Sequence, residues 1–418
     1  MKICTTILFS LLPLMLISQD SLLTYQESKH EITWKSNFLF ESNGLNKEFL
    51  NNMLYDGNIT NEMKSKWLKS SNEKNIINSE ITNGISYIYH LKKHSIGFSF
   101  ADVNTLNTSF TNDLLRLVFE GNFYHQDKTL EFGGTSIRAD RFQQYKIYYA
   151  RQLNNININS GLSYLVGNHH LSYIIEKGRL YTADFGSYLD LEYSINAFVT
   201  DTSNFSVFKN NGNGMAVDFG TNFKIKEYKI NFEIADLGFI IWNTSSINLA
   251  SDSMFNFQGV EIENIFNFND SLLESNNIIN EDSKTNLRSF KSYIPATIHL
   301  SVSVGKKYKY LKKYTIGIIT KWQPYMDNTA LSFSKISQGI KESNFSPLFY
   351  IRSIFNASSY NIIPNFNYGG YSNDINIGLT LSKGKKNTFA IGTHHLEDIL
   401  NGDKAKAVSL YFNIRIQF

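Results

Sequence analysis

Seven charged side chains stand out by where they fall in the sequence: Asp190, Glu192, Asp218, Lys224, Glu233, Lys321 and Arg415. Each belongs to a stretch in which apolar and polar residues alternate, and each falls on the polar parity. Extended chain sends neighbouring side chains to opposite faces, so these charges would all face away from the apolar side. Their chemistry is then ion pairing, hydration or contact with a solute along a lumen. Other candidates carry less. His169-His170 and His394-His395 are adjacent pairs, which on a strand point to opposite faces and cannot chelate one ion. No metal site and no cofactor follow from them. Gly212 and Gly214 precede strand-like rather than helix-like sequence, so they read as a turn and not as a phosphate cradle. Gly161-Leu162-Ser163 lacks the second glycine of a nucleophile elbow. No catalytic set emerges, and the expectation is a protein that is not an enzyme.

The elements that would position those charges are strands. The clearest is the last stretch, AVSLYFNIRIQF at 407–418. Val408, Leu410, Phe412, Ile414, Ile416 and Phe418 share one parity, and Ser409, Tyr411, Asn413, Arg415 and Gln417 share the other. A lipid-facing barrel strand has this form: about ten residues, apolar outward and polar inward. Composition agrees. The 418 residues include 32 Phe and 24 Tyr but only 5 Pro, and the net charge of +3 is too small to argue for nucleic acid. The first 19 residues, MKICTTILFSLLPLMLISQ, read as a secretory leader with Lys2 as the positive end and 7–17 as the apolar segment. The single cysteine, Cys4, lies inside it and before the apolar segment, which argues against a lipid anchor. Past the leader, no stretch approaches the ~18 apolar residues of a spanning helix.

In chain order, 31–40 reads as the first strand. Hairpins follow at 81–91 with 95–105 and at 144–153 with 155–166, then a less regular strand at 169–182 and a very regular one at 187–200. The stretches 214–226 and 228–242 continue the pattern. In the second of these the apolar parity switches between Ile234 and Leu237, a β-bulge signature near Ala235-Asp236. Further strands fall at 296–305, 314–322, 348–354, 361–368, 373–381, 387–393 and 407–418. Long polar excursions, external or plugging, interrupt them at 41–80, 106–141, 243–293 and 323–346. The first carries helical spacing among Phe49, Met53, Met63 and Trp67, and the second an amphipathic helix near 112–120 with Leu114, Leu115, Val118 and Phe119 on one side. Leu114, Val118 and Phe119 are candidates for a lid or pocket wall. If the C-terminus is periplasmic, every long excursion falls outside and every tight turn inside, as outer-membrane barrels require. The reading is all-β: an antiparallel transmembrane β-barrel over 20–418 of about 14 to 16 strands, with short helices in long loops.

The segment GNGMAVDFGTNFKIKEYKINFEIADLGFIIW at 212–242 resembles a Bacteroidota family of outer-membrane barrels, domain of unknown function 5723. DLLRLVFEGN at 113–122, KTLEFGG at 128–134, SYIP at 292–295 and the closing SLYFNIRIQF resemble it too. The resemblance implies an outer-membrane barrel, distantly similar to fatty-acid transporters and to barrels attached to type IX secretion. The expected partners are outer-membrane lipid and the barrel-assembly machinery, which would recognise the terminal strand. Two functions are expected of such a chain. One is passive transport or binding of a small hydrophobic molecule. The other is a structural adaptor barrel bound to a cell-surface, gliding or secretion-complex protein.

Overall fold

The computed structural model describes residues 28–54, 59–200, 208–257, 284–305, 310–325, 333–384, 386–402 and 405–418. The leader at 1–19 and positions 258–283 of the third excursion lie outside the described residues.

Alternation builds long antiparallel strands. The first six are β1 (His30–Ser42), β2 (Lys74–Leu91), β3 (His94–Thr111), β4 (Lys128–Glu131), β5 (Ser136–Leu153) and β6 (Ile156–Thr182). Then come β7 (Leu189–Val199), β8 (Gly212–Ile225), β9 (Tyr228–Trp242), β10 (Ile247–Phe257), β11 (Lys284–Leu287) and β12 (Lys291–Tyr293). The series ends with β13 (Ala296–Gly305), β14 (Leu311–Trp322), β15 (Ser346–Ala357), β16 (Tyr360–Gly370), β17 (Asp374–Lys383), β18 (Thr388–Thr393) and β19 (Ala407–Gln417). Among the described residues five α-helices lie in the connections: α1 (Lys47–Leu54), α2 (Asn61–Ser70), α3 (Asn112–Glu120), α4 (Phe333–Glu342) and α5 (Leu396–Asn401).

Fourteen of the strands close into a ring, in the order β1, β2, β3, β5, β6, β8, β9, β13, β14, β15, β16, β17, β18, β19. The closing seam pairs β1 with β19 from Glu31↔Gln417 to Glu41↔Ala407. A sealed ring leaves no edge strand for other chains to pair with. Its outer surface carries the apolar parity. On β8, Met215, Val217 and Phe219 are 55%, 47% and 48% exposed, while Ala216 between them is 1% exposed. The terminal strand does the same: Leu410 and Ile416 point out, and Ser409, Tyr411 and Gln417 are buried in the lumen. Short turns occupy one end, and at three of them Asn154, Lys226 and Ser358 adopt positive φ, as tight hairpins require. The long connections with their helices all emerge at the other end.

The bulge lies where the parity switch put it. Val217 pairs with Leu237 and Phe219 with Ile234, so Asp218 opposes both Ala235 and Asp236. Asp236 has φ of +60°, and its N–H donates to Asp218 Oδ1 at 2.7 Å.

One regular segment is not in the ring. β6 runs for 27 residues, roughly 90 Å at strand rise and far more than the ~10 needed to cross a bilayer. Its first half, from Ile156 to Gly167, pairs with β8 in the ring. Its second half, from Leu171 to Thr182, pairs with β7, which in turn pairs with β10. This second sheet stands beyond the rim at the long-connection end. The expectation that β7 lines the lumen is therefore corrected: period-two alternation marks a two-faced sheet but does not say what covers each face.

β18 is short, with only six residues between neighbours of ten and eleven. Helix α5 packs against the outer ends of β17 and β19 where β18 stops. Glu397 Oε2 accepts the Ile377 N–H at 2.8 Å, and Asp398 Oδ2 accepts the Ala407 N–H at 3.0 Å. These carboxylates satisfy backbone donors that a longer β18 would have paired.

Candidate functional site

The ring encloses a cavity of about 270 Å³ on the inner faces of β1–β3, β5, β6, β8, β9, β13 and β14. Room for it comes from small inward residues: Gly84 on β2 is paired with Ala101 on β3, and Gly161 lies on β6. Its wall is of two kinds. Part of it is apolar, with Val103, Phe142, Ile294 and Pro295. Phe142 and Ile294 belong to a buried cluster with Leu165, Ile240, Trp242 and Phe290. The remainder carries charge: carboxylates Glu31, Glu80, Asp218, Glu233 and Asp236, and ammonium groups Lys35, Lys146 and Lys321.

The charges are arranged, not scattered. Lys146 Nζ lies 2.5 Å from Asp218 Oδ2 and 2.8 Å from Asp236 Oδ1. Gln144 Nε2 also donates to Asp236 Oδ1, at 2.6 Å. The bulge makes this triad possible, because the extra residue turns Asp236 inward beside Asp218. Glu31 accepts from Gln417 Nε2 at 2.6 Å and from Thr33 Oγ1 at 3.3 Å. Lys321 is ion-paired with Glu80 across the lumen.

The outer end of the cavity is closed by a plug. Residues 323–325 after β14, and α4 with the residues that follow it to Phe345, lie over this end. Arg138 of β5, 2% exposed, donates to the carbonyls of Gln323 at 3.3 Å, Pro324 at 3.1 Å and Glu342 at 3.4 Å. Its guanidinium also lies over the Tyr325 ring at 4.5 Å. Asn344 Nδ2 donates to Asn107 Oδ1 of β3 at 2.6 Å. From the connection after β16, Tyr371 reaches in and its hydroxyl donates to Glu80 Oε1 at 3.1 Å. Burial, then the Glu80 carboxylate, push the Tyr371 phenol well above its ordinary value, so it stays a donor. The seal combines these hydrogen bonds with apolar packing: Ile340 of α4 packs against Tyr293, Ala296 and Trp322, and Phe345 meets the Tyr371 ring edge-on at 4.9 Å.

Of the residues the sequence singled out, Asp218, Glu233 and Lys321 line the cavity. Arg415 shares the inner parity of β19 beside Thr33, outside the cavity wall, with its Nε buried and without a hydrogen-bond partner. Lys224 sits at the short-turn end and is exposed, its N–H donating to Asn155 O at 2.8 Å. Asp190 and Glu192 lie on β7 beyond the rim. Asp190 accepts from Asn256, and Glu192 lies 3.9 Å from Arg179 and from Lys177. They do not face the lumen, because β7 is not a wall strand. Leu114, Val118 and Phe119 do not line the cavity either. Phe119 packs against a small core of Leu45, Phe49, Trp67 and Leu115 between α1, α2 and α3, while Val118 is 63% exposed. Helical spacing found the helix, but its buried side faces the other helices.

The histidine pairs serve the framework. His170 Nδ1 lies 2.6 Å from Asp140 Oδ1, and His395 Nε2 lies 3.0 Å from Glu41 Oε1. No cluster of three metal-ligating side chains occurs among the described residues. Sequence reasoning missed Lys35, Lys146, Asp236 and Arg138. A signal for Lys146 was present, since it is a lone charge inside the run Tyr145-Lys146-Ile147-Tyr148.

The family described as "Family of unknown function (DUF5723)" matches residues 34–405. No curated protein matches. Among solved structures, the Ralstonia pickettii toluene transporter TbuX is 7% identical, with a TM-score of 0.43 over 94% of this chain and 90% of that one. The Pseudomonas putida toluene transporter TodX is 6% identical, with a TM-score of 0.41 over 94% and 91%. A Pseudomonas aeruginosa FadL homologue is 8% identical, with a TM-score of 0.39 over 93% and 89%.

Proposed function

We propose that this chain, which belongs to the DUF5723 family of unknown function, is an outer-membrane barrel that takes a small molecule into its lumenal chamber and passes it on when the plug loosens. The observation that carries the reading is the chamber itself. It is close to the ~300 Å³ lower bound of small-molecule sites, part apolar and part charged, and closed by a plug held by hydrogen bonds and packed aromatic side chains. The membrane setting is supported by the exposed apolar parity around a sealed ring and by short turns at one end with long connections at the other. Ionisable side chains inside such a wall commonly mark solute paths.

The test is solute flux through the full chain in liposomes, compared with Arg138→Ala, which removes the donor to three plug carbonyls. The variant should pass small solutes several-fold faster than the wild type. If neither passes any solute, the transport reading fails.

A second reading is an adaptor barrel that binds a cell-surface, gliding or secretion-complex protein. It is favoured by the apolar tip beyond the rim, where Phe123, Tyr124 and Phe185 are 60%, 80% and 85% exposed. Replacing these three with serine should then abolish a stoichiometric complex purified from the native membrane while leaving flux untouched. A complex that survives the replacement removes this reading.

A further inference from the structure

We propose that the chamber selects small organic cations, molecules that carry an ammonium group on an apolar body. The inference rests on the chamber being a binding site and names what it takes. Three observations converge on it.

The first is charge. Five carboxylates face three ammonium groups in the wall, leaving an excess of negative charge in an enclosed space. Low-dielectric walls concentrate such a field, and charged linings of this kind set ionic selectivity in pores.

The second is a pair of acceptors without donors. Asn159, Gly220 and Glu233 lie in one row across three adjacent strands, Asn159 paired with Gly220 and Gly220 with Glu233. Gly220 has no side chain, and the Asn159 amide lies over it: a Cβ added there would stand 2.1 Å from Asn159 Oδ1. That oxygen is buried and accepts no hydrogen bond. The Glu233 carboxylate, in the same row, makes no hydrogen bond and no close ion pair among the described residues; the Lys35 and Lys146 ammonium groups share its wall. Asp218 is the next inward residue on β8, two positions from Gly220 and at the other side of the same opening. A buried acceptor normally has a donor. An ammonium carries three donors and no acceptor, so it suits the Glu233 carboxylate, while the Asn159 oxygen lies covered against Gly220. A carboxylate-bearing solute would find the Lys35 ammonium as a donor but would also face the excess of wall carboxylates.

The third is the apolar patch of Val103, Phe142 and Ile294 in the same cavity. It supplies a place for a hydrocarbon or aromatic body while the charged end reaches Glu233.

The experiment is calorimetric titration of the full chain in detergent micelles with three probes of one shape: 2-phenylethylamine, 2-phenylethanol and phenylacetate. The amine should bind at least tenfold more tightly than either of the others. Glu233→Gln should weaken the amine about tenfold and leave the alcohol unchanged. Asn159→Asp, which keeps the shape and adds charge, should tighten the amine several-fold, so the test does not depend on one variant folding. Equal or tighter binding of the alcohol or the acid overturns the cation preference and leaves the binding chamber standing. An amine affinity indifferent to both substitutions also overturns it. If none of the three probes binds, the preference falls, and flux in liposomes then decides separately whether the chamber is a passage.

Discussion

Lys146 shows how closely the chamber depends on single residues. Its ammonium sits between two carboxylates that the bulge brings together, at 2.5 Å and 2.8 Å. Each of those carboxylates would be costly inside the wall without it. Lys146→Met keeps most of the volume and removes the charge, leaving Asp218 and Asp236 facing each other. Breaking an enclosed ion pair from one side costs about 3–5 kcal/mol, so the urea midpoint for unfolding in micelles should fall by a corresponding amount. Lys146→Arg should lose much less. A midpoint unchanged by Lys146→Met would mean that the two aspartates do not depend on this lysine. The neighbouring Glu233 differs in kind: its carboxylate makes no hydrogen bond or close ion pair among the described residues, which is why it points to a solute rather than to stability.

Among the elements, those held by alternation alone were legible in the sequence, and those held by tertiary contacts were not. The ring strands β8, β9 and β19 followed directly from period two, and the bulge from a parity switch between Ile234 and Leu237. β7 has the same alternation yet stands outside the ring, because only the length of β6 reveals that half of it rises past the rim. The plug lies in 323–346, one of four excursions expected to be external or plugging, and nothing local in the sequence singled it out from the other three. What holds it is Arg138 of β5, a strand five places away around the ring, and no local pattern encodes that pairing. Helix α5 is a further case, its role set by the shortness of β18.

Burial holds the Asp398 carboxyl of α5 above its ordinary value, against the lowering effect of the backbone N–H groups of Lys406 and Ala407. A carboxyl raised on folding stabilises the fold below its unfolded pKa, and that contribution is lost as pH rises through the higher folded value. The window therefore opens just above the ordinary aspartate range. Docking of α5 should weaken as pH climbs through it, seen as faster hydrogen exchange at the Ala407 amide beyond the intrinsic pH dependence. Asp398→Asn should abolish that extra pH dependence while still accepting the bond. Equal pH dependence in the variant and the wild type would contradict this.

For the whole molecule, fourteen strands form a sealed cylinder with apolar side chains outward and polar ones inward. Its short turns lie at one end, and its helices, second sheet and plug at the other. The chamber, the plug and the cation preference all depend on that division. It can be tested along a single strand. With Cys4 replaced by serine, single cysteines are placed along β8 and labelled with a fluorophore in liposomes that contain a lipid-bound quencher. Quenching should be strong at Met215, Val217 and Phe219 and weak at Ala216, Asp218 and Asn222. Uniform quenching along the strand, or strong quenching at Asp218, would contradict the account.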